Sequence, residues 1–123
     1  PDVYRLGWCQ DYPDENNWVH EVFNPTYGNN DPRMSPDDPQ VGAAVAEFDR
    51  LTTLAGRLTD PAERQRLYFE AERLLCDEIV AIAPIYYYTQ IALTKPWVTR
   101  HWHDTPHWDT WSIDAELRAQ MMG

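Results

Sequence analysis

The sequence predicts an α/β fold in which a small mixed sheet is packed by two helices, and three observations lead there. Two adjacent segments carry apolar residues at helical spacing, and runs rich in β-branched and aromatic residues lie before and after them. The length of 123 residues suits one such unit, because a chain of this size buries roughly 60% or more of its unfolded surface on folding.

The elements follow in chain order. Residues 3–8 alternate Val3 and Arg5 with Tyr4 and Leu6 before Gly7, a short strand pattern. Residues 11–40 hold all of the Asn and half of the Pro, so turns dominate there, with one short helix predicted over 18–23 and Val22, Phe23 and Tyr27 as anchors. The run from Tyr27 to Pro32 has no apolar periodicity and is expected to be mobile or to pack against polypeptide outside this chain.

Val45, Phe48, Leu51, Ala55 and Leu58 place one apolar stripe on a helix over residues 42–58. A second helix starts at once: Asp60 is the expected N-cap, Pro61 fits the first helical position, and Glu63 completes a capping-box pattern. Leu67, Ala71, Leu74, Leu75 and Ile79 form its buried face. Residues 80–88 then read as a strand with Pro84 at an edge, entry or bulge, and residues 90–94 as a second short strand. Tyr86, Tyr87 and Tyr88 alternate sides of that strand, with core packing the plainer role. In the tail, Trp97, Trp102, Trp108 and Trp111 suggest packing, and Ile113, Leu117 and Met121 stand at helical spacing.

Composition excludes several classes of function. A net charge of −10 with scattered basic residues argues against a nucleic-acid partner. No apolar run approaches the roughly 20 residues of a membrane span, so no direct membrane insertion is expected from this segment. Pro1 and Asp2 lead straight into an apolar strand without initiator Met, n-region or h-region, the pattern expected of a piece of a longer chain. Cys9 and Cys76 do not make a disulfide scaffold and read first as small buried hydrophobes. No nucleophile elbow, phosphate loop or Cys/His motif occurs, so no enzyme and no cofactor is expected.

Two clusters could bind a ligand. In Arg5-Leu6-Gly7-Trp8-Cys9-Gln10-Asp11-Tyr12, a carboxylate stands beside an indole, a pairing that suits a cationic group through charge-assisted hydrogen bonds and a cation–π face. The same residues also read as a buried Trp next to an Asp that opens a turn before Pro13. His101, His103 and His107, with Asp104 and Asp109 close by, could bind Zn or Ni, but the spacing matches no structural zinc pattern and Pro106 interrupts any helix that would align the rings.

The Arg5–Tyr12 words resemble the ligand-site motif of the oligopeptide-binding members of the extracellular solute-binding proteins, family 5. Further blocks resemble the same family in the same order: Ala46-Glu-Phe-Asp49-Arg-Leu, the stretch from Asp60 to Leu75, Ile82-Ala-Pro-Ile-Tyr-Tyr-Tyr and Leu93-Thr-Lys-Pro-Trp-Val. The resemblance implies a fragment of a two-lobed periplasmic-binding-protein-like fold. Residues 1–98 would form the C-terminal part of the peptide-holding lobe, and residues 99–123 a tail returning toward the other lobe.

It also implies oligopeptide binding for import by an ABC transporter, with an oligopeptide ligand and an ABC permease as partners, outside the cytoplasmic membrane in an extracellular or periplasmic place. Any lipid anchor would lie upstream. By position Asp11 would hold the ligand ammonium, Arg5 could meet a ligand carboxylate and Trp8 would line a side-chain pocket. In some relatives the position of Cys9 is bridged to an upstream cysteine. Alternatives are an oligosaccharide- or nickel-binding member of the same family, or an autonomous Trp-rich interaction domain.

Overall fold

The computed structural model describes residues 3–89, 91, 93–100 and 111–123, which fall into two compact units, Pro1–Ile85 and Tyr86–Gly123. In the first unit a π-helical turn, Asn16–His20, runs into a single α-helical turn, α1 (Glu21–Phe23). Helices α2 (Gly42–Ala55) and α3 (Pro61–Arg73) follow, and α3 continues as a π-helical turn, Leu74–Glu78.

The two amphipathic stripes meet as the spacing predicts. Val45, Phe48, Leu51 and Ala55 of α2 are buried against Leu67, Ala71, Leu74 and Leu75, with Leu58 and Ile79 half-buried at the margin. Val19, Met34 and Tyr68 complete this cluster, so the helical turn predicted around residues 18–23 closes one side of it. Asp60 caps α3 by accepting the Glu63 N–H at 2.8 Å, and Pro61 opens the helix. The Glu63 carboxylate reaches Arg66 at 2.7 Å rather than back to the cap, because a guanidinium offers it a charge-assisted bond that a neutral N–H does not match.

The run after α1 is tied down. Asn29 and Asn30 donate their backbone N–H groups to the Glu21 and Val22 carbonyls at 2.8 and 3.0 Å, and the Asn30 side chain exchanges two bonds with the Met34 backbone. A Cβ at Gly28 would stand 2.4 Å from the His20 carbonyl oxygen, so only glycine permits this approach. Val22 is buried as an anchor, but Tyr27 is 70% exposed.

Sheet content lies elsewhere than the patterns place it. Residues 3–8 and 80–88 form no strand, nor do Ile91, Leu93 and Thr94. Ala81 and Ile82 still pack half-buried against the helical core and Trp8 is half-buried, but most of the other apolar side chains face solvent: Tyr86, Tyr87 and Tyr88 are all exposed rather than packed in a core, and the Tyr86 and Tyr88 rings meet edge to face at 5.0 Å. Alternation shows which faces a strand would have, but a strand exists only where a second backbone answers its N–H and C=O groups.

In the second unit, β1 (Val98–Thr99) pairs antiparallel with β2 (Ser112–Ile113), Val98 opposite Ile113 and Thr99 opposite Ser112. The Arg100 guanidinium covers the Trp111 ring at 4.2 Å. Asp114 then caps α4 (Ala115–Met122) by accepting the Leu117 N–H at 2.9 Å, as the helical spacing there predicts, although no residue of α4 is buried. The described residues are thus a mixture of helices and one two-stranded sheet. Among the described residues no helix is long and apolar enough to cross a membrane.

Candidate functional site

Trp8 and Asp11 are brought together by a residue that the sequence motif does not contain. Asn17, fully buried in the π-helical turn, accepts the Trp8 indole N–H and the Asp11 backbone N–H on its side-chain oxygen, each at 3.0 Å. Its NH2 group donates to Asp11 Oδ2 at 3.3 Å and to Glu21 Oε2 at 2.6 Å. An indole and a backbone N–H can only donate, and carboxylates can only accept, so the orientation of this amide is fixed by its neighbours.

The base of this arrangement is anchored to α3. Asp14 accepts the Asn16 N–H at 2.8 Å and pairs with Arg64, whose guanidinium also bonds the Ala55 carbonyl at 2.7 Å and lies over the Tyr68 ring at 5.2 Å. The Tyr68 hydroxyl donates to Asn16 Oδ1 at 2.9 Å. Burial pushes the Tyr68 phenol up to about 12, and the adjacent Arg64 charge opposes that shift without reversing it. Glu21 also accepts from the Tyr12 hydroxyl, whose pKa is raised by burial and then by that bond.

Asp11 itself is exposed, so its carboxylate stands at the surface with Oδ2 on Asn17 and the half-buried Trp8 indole beside it. A surface carboxylate that shares one amide with an indole can accept hydrogen bonds from an ammonium group, with the aromatic ring available to shield one side of it from water. Arg5 lies exposed on the extended segment upstream. Cys9 is exposed rather than buried; Cys76 is half-buried, its thiol pushed up by burial, and both are free.

Two features near this site were not legible as function. Asp49, part of one resemblance block, accepts from the Asn24 side chain and, at 2.6 Å, from the Thr26 hydroxyl, so it secures the turn after α1 to α2. A groove of about 450 Å³ is lined by His20, Glu21, Tyr27, Thr53 and Arg57 among others, and Arg5, Trp8 and Asp11 do not line it. Burial pushes the His20 imidazole down despite the nearby Asp49 and Glu21 carboxylates. Among the described residues no three His, Cys, Asp or Glu side chains gather as a metal site; His101, His103 and His107 lie outside the described residues.

Asn17 escaped sequence reasoning because apolar periodicity cannot flag a polar core residue. The available signal was its place four residues before Glu21, where helical side chains meet, within a run that turns apolar at Trp18 and Val19.

Comparison with known proteins gives the kinship. The chain is 34% identical over 97 residues to the periplasmic oligopeptide-binding protein OppA of Salmonella typhimurium, a stretch covering 79% of this chain and 16% of that protein. It is 35% identical to OppA of Escherichia coli with the same coverage, and 29% identical over 120 residues to the oligopeptide-binding protein OppA of Bacillus subtilis, covering 98% of this chain and 17% of that protein. No family model and no solved structure matches.

Proposed function

We infer that this chain, homologous to a segment of the oligopeptide-binding proteins, takes part in holding an oligopeptide for import by an ABC transporter. The chain spans about 16% of the length of those relatives, whose names describe binding rather than catalysis. The observation that carries this reading is the exposed Asp11 carboxylate aimed by Asn17 beside the Trp8 indole. Asp11 takes the ligand ammonium, Trp8 lines a side-chain pocket and Arg5 meets a ligand carboxylate. The protein works outside the cytoplasmic membrane, as the periplasmic relatives do by name, with the rest of a two-lobed fold closing on an extended peptide before delivery to the permease.

Calorimetry on the intact protein tests the central role. Asp11→Asn keeps the shape and removes the charge, so affinity for a free-amine peptide should fall by roughly 2 to 5 kcal/mol when the pair is desolvated on closure. The acetylated peptide should lose far less. Equal losses for both ligands would remove Asp11 from ammonium recognition.

A further inference from the structure

We propose that Asn17 is the positioning residue of this recognition site, a single buried amide that aims the Asp11 carboxylate and the Trp8 ring together; the proposal rests on the ammonium role of Asp11. All four hydrogen-bonding valences of the side chain are used: two acceptor positions by the Trp8 indole and the Asp11 backbone, two N–H groups by the Asp11 and Glu21 carboxylates. No other uncharged side chain of this size offers paired acceptor and paired donor sites on opposite ends of one plane.

The unequal donor bonds assign the roles. At 2.6 Å the amide is held firmly by Glu21, while at 3.3 Å it touches Asp11 loosely. Glu21 therefore fixes the amide, and the amide orients the Asp11 carboxylate while leaving it largely free for a ligand. The preceding residue, Asn16, is held by the Tyr68 hydroxyl, and Asp14 is pinned by Arg64, so the amide stands on a base that does not swing.

The test compares peptides bearing a free or an acetylated amino end on the intact protein. Asn17→Ala should weaken the free-amine peptide by roughly tenfold more than the acetylated one, the factor expected when one bond to a charged group loses its alignment. Equal weakening of both, or no weakening of either, would reduce Asn17 to a structural residue and overturn the proposal. Trp8 supplies a readout that needs no variant: exchange of its indole N–H in the unaltered protein should be slowed by about tenfold or more relative to a free indole. Exchange at the free rate overturns the proposal even if Asn17→Ala does not fold. Lack of discrimination between the two peptides by the unaltered protein defeats the ammonium reading of Asp11 instead, leaving indole exchange to decide Asn17.

Discussion

The layer formed by α2 and α3 and the extended runs on either side of it are both rich in apolar residues, yet one is closed and the other, apart from the half-buried Trp8, Ala81 and Ile82, stands largely in solvent. Val45, Phe48 and Ala55 are fully buried, whereas Val3 is 87%, Ile85 84%, Tyr87 95% and Leu93 100% exposed. A helix answers its own backbone groups and needs one partner stripe, which the next helix along the chain supplies. A strand needs a neighbouring backbone as well as a covered face. The apolar character of both regions is equally real; only one finds its partner nearby in sequence.

The strongest way to break that comparison is to truncate one large side chain in each region. Phe48→Ala should cost about 3 to 5 kcal/mol, through lost burial and the cavity left behind. Tyr87→Ala should change stability by no more than about 0.5 kcal/mol. Denaturant titration of both variants checks the pair, and a comparable loss at Tyr87 would show that the exposed run is packed in solution.

A smaller effect comes from pH. The Tyr68 phenol is raised from 10.0 to about 12 by burial, so between those values the unfolded chain has released its proton while the folded one keeps it. Stability attributable to this group is complete below pH 10 and falls as pH rises toward 12, by roughly 2 kcal/mol. Tyr68→Phe should flatten that slope while losing the bond to Asn16. A slope unchanged in the variant would place the titration elsewhere.

The caps of the two units give the next contrast. Asp60 and Asp114 accept the same kind of N–H bond, at 2.8 and 2.9 Å. Asp60→Ala should cost about 1 kcal/mol of cooperative stability because α3 is part of a core. Asp114→Ala should lower only local helicity, since α4 buries no residue. Thermal melts and circular dichroism separate the outcomes; a shared loss of cooperativity would mean that α4 is integrated after all.

What could be read from the sequence follows the same division. The stripes at Val45–Phe48–Leu51–Ala55 and Leu67–Ala71–Leu74 were legible because helical spacing and burial are local and repeat, and the cap at Asp60 because one side chain answers one N–H; the cap at Asp114 came only with the structure. The strands at residues 3–8 and 80–88 were misread because their composition records a preference, not the presence of a partner. At the candidate site, Trp8 and Asp11 were visible as adjacent chemistry, but Asn17 was not, since a satisfied polar group in the interior carries no periodic signal.

The boundary between the two regions holds the smallest effect and the sharpest local conflict. Val80 follows the π-helical turn Leu74–Glu78 with φ of 54°, and the next N–H, from Ala81, returns to the Leu75 carbonyl at 3.1 Å. That is a helix-ending turn in left-handed backbone, where a glycine would sit without strain. A β-branched residue there costs roughly 1 to 2 kcal/mol, and the extra unfolded freedom of glycine takes back about 0.5 to 1 kcal/mol. Val80→Gly should therefore raise the stability of the helical unit by about 0.5 to 1 kcal/mol, because the exposed valine side chain has little packing to lose. A drop in melting temperature would instead show that Val80 is engaged as the first residue of the apolar run it opens, and the contrast between closed helices and open extended segments would then end one residue earlier than the backbone suggests.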